Sequence, residues 1–412
     1  MKKFRKYGFG IVIGVIACAG IFGAGYFFYL LDASGEYEIT ASIKNTEILI
    51  EEKEKDIVIH VKTPEAVKAI YMTSCVAGTI SFRNDLVKVA DSTEINSIII
   101  DIKDYTGKLS YIPEEENLKP YVSDKCRAPD MKEFVKILHN KGIYVIGRVT
   151  VFQDPFYVSK HPENAVVRAS DGGIWKDRKG ISYIDPSSVD AWNHILSIAT
   201  STYNIGFDEI NFDYIRFPSD GNMTDIKFPY SGNMKKSDVI ENFFSYVHKQ
   251  LSGTGIKTSA DLFGMVTVNY DDLNIGQVLE KALPYFDYIA PMVYPSHFPP
   301  TFNGWQNPNT VPYELIKYTM DKAVERTVAT STKIMTLGSE IVASSTPIRY
   351  TKESFDKNKI RPWLQDFDYG GNYDVAEVKA QIKATYDAGL NSFMLWAPSN
   401  RYTIGALEKE TN

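Results

Sequence analysis

The sequence predicts an α/β chain built as a (β/α)8 TIM barrel, set behind an N-terminal transmembrane helix and a short spacer. Three observations carry this expectation. From residue 69 onward, short β-branched runs alternate with longer helical stretches, the order of βα units around a parallel sheet. Eight such strands can be counted, and none is followed by the glycine fingerprint of an open dinucleotide-binding sheet. Polar residues recur at the C-terminal ends of these strands, where barrels gather their active sites.

The N-terminus sets the expected compartment. Lys2, Lys3, Arg5 and Lys6 precede an uncharged stretch over 7–31, and ~20 apolar residues suffice to cross a bilayer. A cleavable signal would have a shorter apolar run and a small-residue cleavage site, and neither is present. The positive flank stays in the cytoplasm, which puts the rest of the chain outside. The expected layout is a cytoplasmic tail over 1–6, a signal anchor over 7–31, an extracellular spacer with weak strand patterning over 32–64, and the barrel over 65–412. An alternative on the same side of the membrane is a lipoprotein acylated at Cys18, because Val15-Ile16-Ala17-Cys18 resembles a lipoprotein signal.

The barrel strands are expected at 69–74, 97–103, 143–149, 207–213, 256–262, 285–292, 360–365 and 392–396. Helices are expected near 83–92, 129–141, 188–203, 236–252, 275–283, 312–327 and 374–388. The segment 330–358 is long for a connection and reads as an insertion; the run 333–337 within it has strand character without belonging to the count of eight.

Composition narrows the function. The chain of 412 residues is 44% hydrophobic and 13% aromatic, enough for a large core, with a formal charge of −6. No basic block lies beyond the N-terminus, so nucleic acid is not an expected partner. Cys18, Cys75 and Cys126 form neither a CxxC pair nor a Cys/His cluster, and the six histidines show no metal-ligand spacing. No metal or cofactor is expected.

Side-chain alternation along the strands then picks out a site. In the fourth strand Ile210, Phe212 and Tyr214 face the helices, while Glu209, Asn211 and Asp213 face the interior, with Asp213 last, at the mouth. Asp208 is expected to cap or pair at the barrel bottom. The fifth strand presents Ser259 and Asp261, the second Asp101 and Lys103, and the third ends in Arg148. Further round lie Tyr294 and His297, then Trp363, Gln365 and Asp366, then Trp396 with Asn400 and Tyr402. Glycoside cleavage uses two carboxyl groups, ~5–5.5 Å apart for retention and ~6.5–9.5 Å for inversion. Neighbouring barrel strands are ~4.8 Å apart, so Asp213 and Asp261 fit that chemistry. Arg148 would keep one carboxylate ionised, and Tyr294, Trp363 and Trp396 would offer flat faces to a sugar ring. Taken singly, each of these residues has a structural reading: caps, a buried ion network of Asp101, Lys103 and Arg148, or core aromatics.

The run Gly206-Phe207-Asp208-Glu209-Ile210-Asn211-Phe212-Asp213-Tyr214-Ile215-Arg216-Phe217-Pro218 resembles the signature of a bacterial family of inferred glycoside hydrolases, long carried as a domain of unknown function. Matching motifs follow in order: Asp101-Ile102-Lys103-Asp104, Tyr183-Ile184-Asp185-Pro186, Ser259-Ala260-Asp261-Leu262-Phe263-Gly264, Pro291-Met292-Val293-Tyr294-Pro295-Ser296-His297, Arg361-Pro362-Trp363-Leu364-Gln365-Asp366 and Leu395-Trp396. The resemblance covers about 69–405 and implies a barrel related to amylase-like glycosidases, with Arg216 among the residues that hold substrate. The fourth strand departs from the chitinase pattern, since Asn211 replaces an aspartate and Ile215 stands where the proton-donating glutamate would be. In amylase-like barrels the fourth-strand aspartate is the nucleophile and a fifth-strand glutamate the acid; here the fifth strand offers Asp261.

The resulting expectation is a membrane-anchored glycosidase acting on an extracellular or cell-wall polysaccharide, or on oligosaccharides from it. Asp213 would be nucleophile or base and Asp261 the general acid. Asp101, Lys103, Arg148, Asn211, Arg216, Tyr294, His297, Trp363, Gln365, Asp366 and Trp396 would shape charge or hold sugar. The alternative is a non-catalytic glycan-binding barrel of the cell envelope.

Overall fold

A computed structural model describes residues 58–334 and 348–409. The expected tail, anchor, Cys18 and most of the spacer lie outside these residues; among the described residues, no helix is long and apolar enough to cross a membrane.

Eight parallel strands close into a barrel: β1 (Lys68–Met72), β2 (Ser97–Lys103), β3 (Tyr144–Thr150), β4 (Glu209–Asp213), β5 (Lys257–Phe263), β6 (Tyr288–Met292), β9 (Trp363–Gln365) and β10 (Phe393–Trp396). Each neighbours the next, and β10 returns to pair with β1. The remaining two strands, β7 (Ser331–Ile334) and β8 (Ile348–Thr351), form a separate antiparallel hairpin. The expected insertion holds this hairpin outside the barrel, and Lys333 and Ile334, the described part of the run 333–337, pair with β8.

These strands are apolar on both faces because the sheet is covered on both. One face packs under the helices: Ile70, Ile98, Ile100, Ile210, Phe212, Leu262 and Leu395 belong to the outer core. The other face fills the barrel: Ala69, Tyr71, Ile99, Tyr144, Ile146, Tyr294, Trp363 and Met394 form an inner cluster. The outer jacket comprises α1 (Ser74–Ala77), α2 (Ile80–Ser92), α3 (Met131–Asn140), α4 (Pro155–Lys160), α5 (Val189–Asn204), α6 (Lys236–Leu251), α7 (Leu279–Ala282), α8 (Pro312–Val328) and α9 (Val375–Asp387). Caps fix several starts. Ser188 accepts a hydrogen bond from Ala191 N–H at α5, and Asp374 with Glu377 makes a capping box at α9. The helix expected over 275–283 is cut to α7, because Leu273, Asn274 and Gly276 adopt positive φ and turn the chain out of helical geometry.

The barrel floor is closed by buried ion pairs and by the chain that leads into β1. Arg361 bonds Glu209 at 2.9 Å, and Tyr144 donates to the same carboxylate at 3.0 Å. Asp208, as expected, works at the bottom. It accepts from Val145 N–H at 2.8 Å, Val61 N–H at 2.7 Å and pairs with His139 at 2.9 Å. Residues at the end of the expected spacer thus pack against the barrel floor.

A disulfide joins Cys75 in α1 to Cys126 in the β2–α3 connection. The sequence pattern gave no sign of this pairing, although an extracytoplasmic chain is the setting in which such bonds persist. It ties together the first two βα units across 51 residues. Replacing both cysteines with serine is expected to lower stability by about 4 kcal/mol, the loop-closure value for a ring of this length. Urea unfolding of the double variant beside the parent measures it, and an unchanged midpoint would refute the expectation.

Candidate active site

The site begins one layer below the barrel mouth, with Arg148 on β3. Strand register places Arg148 beside Asp101 on β2 and Asn211 on β4, and Asn211 beside Ser259 on β5. Asp213 and Asp261 stand two residues further along their strands, so alternation returns both to the interior, one layer higher. The guanidinium reaches all three carboxylates. It bonds Asp101 at 2.6 Å and Asp213 closely, and its Nε lies 3.6 Å from Asp261 Oδ2.

Each carboxylate has a different remaining environment. Tyr71 on β1 donates its hydroxyl to Asp101. Asp213 accepts the N–H of Tyr214 at 2.5 Å. Asp261 Oδ1 accepts from Asn211 at 2.9 Å and from the Trp363 indole at 2.8 Å, whereas its Oδ2 has no hydrogen-bond partner. Burial, and after it the charge of Asp213, push the Asp261 carboxyl well above the usual carboxylate range, against the opposing pull of Arg148. Burial also raises Asp101, with Arg148 opposing. Burial works against the Arg148 charge, but Asp213 and Asp101 outweigh it, so the guanidinium stays protonated. The arrangement sets a carboxyl whose proton affinity is raised beside one that accepts hydrogen bonds from Arg148 and Tyr214 N–H.

Above them opens a pocket of about 780 Å³, counted out to solvent, lined by Asp213, Asp261, Tyr214, Arg216, Tyr294 and Trp396 among others. Its enclosed part, about 190 Å³, is smaller than the ~300–1,000 Å³ of typical ligand clefts. One wall is aromatic: Tyr294 and Trp396 lie 5.0 Å apart at 31°, and Phe367 meets Trp396 edge-on at 4.9 Å. His297 stands at the rim with Nδ1 against Ser296 Oγ at 3.0 Å.

The structure sorts the expected site residues into three groups. Arg148, Asp213, Asp261, Arg216, Tyr294, His297, Trp363 and Trp396 line one pocket. Asp101 and Asn211 lie beneath it and act through Arg148 and Asp261. Lys103, Gln365 and Asp366 are not in the site. Lys103 is fully buried against Asp154 at 2.7 Å, because an irregularity between Asp101 and Lys103 breaks the side-chain alternation. Gly107, at φ +83°, lets the chain pass Asp154 where a Cβ would overlap its Oδ1. Gln365 is spent on Ser296 N–H and Phe367 C=O, and Asp366 on Thr403. Trp363 is a donor to Asp261 rather than a sugar-stacking face, since its ring is buried in the barrel.

Two site residues escaped the sequence pattern. Tyr71 sits on the inward face of β1, as alternation from Ala69 would place it, but its role needs Asp101 in view. Tyr214 adopts φ +52° and turns into the pocket instead of toward the helices. Such strain in a non-glycine residue costs ~1–3 kcal/mol and clusters at functional sites.

The sequence over 69–402 matches the family described as "Putative glycosyl hydrolase domain". The chain belongs to that family. No curated protein matches the chain. Among solved structures, the glycoside hydrolase domain of PgaB (BpsB) from Bordetella bronchiseptica is 13% identical, with a TM-score of 0.55 over 84% of this chain and 100% of that one. This likeness is one of fold. A hypothetical protein from Ruminiclostridium thermocellum ATCC 27405 is 34% identical over 47% of this chain and 96% of that one, with a TM-score of 0.42. Membership makes this barrel a glycan-acting hydrolase, in agreement with the fold and the class of activity expected from the sequence.

Arg148 holds these carboxylates in place, so Arg148→Met should cost roughly 3–5 kcal/mol, the penalty for leaving buried charge uncompensated. Chemical denaturation reads the loss; a variant as stable as the parent would refute the network's structural role.

Proposed function

We propose that the chain cleaves glycosidic bonds of an extracellular or cell-wall polysaccharide, with Asp261 as general acid and Asp213 as nucleophile or base. The observation that carries this reading is Asp261 Oδ2, which has no hydrogen-bond partner and only Arg148 Nε at 3.6 Å, on a carboxyl whose hold on its proton burial and Asp213 strengthen. A proton there is available to a leaving-group oxygen in the pocket. Asp213, bonded by Arg148 and by Tyr214 N–H, is presented as the carboxylate partner. Arg148, Asp101 and Tyr71 position the pair, and the Tyr294–Trp396 wall supplies a flat apolar surface for a sugar ring.

We further propose that the barrel works outside the cytoplasm, anchored through the apolar stretch over 7–31. The charge asymmetry around that stretch supports this reading. So does the Cys75–Cys126 disulfide, a bond typical of oxidising compartments.

The test is release of new reducing ends from a panel of bacterial wall and extracellular polysaccharides. Asp213→Asn and Asp261→Asn should each fold and lose at least ~100-fold in rate, the usual contribution of a positioned acid or base. Hydrolysis retained in either variant would remove that residue from the chemistry. The acid must be protonated, so kcat/KM should hold on the acidic side and fall as pH rises through the elevated Asp261 pKa. Trp363→Phe removes a hydrogen bond that lowers this pKa, and should move the falling limb to higher pH. A limb that stays in place or moves downward would speak against Asp261 as the acid.

A further inference from the structure

Arg216 has no task in the proposed chemistry, yet it forms part of the pocket wall. Its Nη1 donates to Phe217 C=O at 3.0 Å and Ser219 Oγ at 3.1 Å, and the guanidinium lies 5.2 Å over the Tyr214 ring. These contacts fix the plane of the group and leave Nε and Nη2 without a protein partner. Among the described residues, no carboxylate pairs with Arg216, in contrast to Arg148, Arg168, Arg326 and Arg361, which all have one. The half-buried fork is therefore held in place but unfilled.

The charge around it points the same way. The two mouth loops that flank Arg216, over 166–186 and 215–235, carry seven Lys and Arg against five Asp, in a chain of net charge −6. Lys176, Arg178, Lys179, Lys227 and Lys235 on these loops are exposed and have no carboxylate partner among the described residues. The pocket floor holds Arg148 already engaged by Asp101 and Asp213, so it offers an anion no free cation. An anionic substituent would be drawn to the rim, where the cations stand without carboxylate partners, and this selects one orientation of a charged sugar.

We infer that Arg216 is a specificity-determining anion subsite, and that the substrate of this pocket is a glycan bearing carboxylate or phosphate groups. This inference rests on the glycan-cleaving reading above. A planar fork with two free donors suits bidentate capture of either oxyanion, which a lysine would meet only as a point charge.

The test is ligand-observed saturation-transfer NMR on the full-length chain in detergent, carrying Asp261→Asn to prevent turnover. The probes are methyl glucuronide, methyl glucoside 6-phosphate and neutral methyl glucoside. At least one charged glycoside should bind roughly tenfold or more tightly than the neutral one, the scale of one charge-assisted bond. Which one does so separates a uronate from a phosphate-bearing glycan. Arg216→Gln should erase the preference without moving the melting temperature, and Arg216→Lys should keep part of it. Equal affinity for all three probes, no binding of either charged one, or a preference that survives Arg216→Gln would overturn the inference. Because binding is read without turnover, a chain that prefers charged glycosides yet hydrolyses nothing would sink the catalytic reading and leave the subsite standing.

Discussion

One guanidinium inside the barrel organises everything above it. Arg148 faces Asp101, Asp213 and Asp261 in a volume from which water is largely excluded. One positive charge cannot compensate three negative ones at such burial, so the cluster relieves its excess charge by holding protons. Each carboxyl accepts two hydrogen bonds, but only Asp261 accepts none from the guanidinium. Asp261 has its Oδ2 unbonded and Asp213 as its neighbour, and it is the carboxyl pushed furthest toward the acid form. The contact that packs the barrel interior thus also gives the carboxyls unequal surroundings.

The floor of the barrel shows the same residue types in a different role. Glu209 and Arg361 pair one to one, with Tyr144 completing the carboxylate's bonds. Charge there is balanced and satisfied, and the result is a plug. Nearer the mouth, the excess of carboxylates over cations leaves chemistry to do. The difference lies in counting partners, not in the kinds of side chain used.

Much of this was legible in the sequence because barrel strands are buried on both faces and so read as long apolar runs; Ile98 to Ile100 followed by Asp101 gives both the strand and its polar end. Alternation correctly turned Asn211, Asp213 and Asp261 inward. It failed at Lys103, where the strand irregularity shifts parity and sends the ammonium to Asp154, and at Tyr214, where a left-handed residue breaks the strand. Gln365 and Asp366 were misjudged for another reason: strand ends also need groups that tie loops down, and Ser296, Phe367 and Thr403 claim them. The disulfide was invisible because two cysteines separated by 51 residues meet only once the barrel closes. Trp363 was read by type, as a platform, when its indole N–H is the part in use.

The floor contact of Asp208 with Val61 fixes where the chain enters the barrel. Because Asp208 sits at the start of β4 and Asp213 at its end, the segment leading into the barrel arrives on the face opposite the pocket. Residues 58–61 therefore stand away from the pocket, and a change in them would reach the carboxyls only through the length of β4.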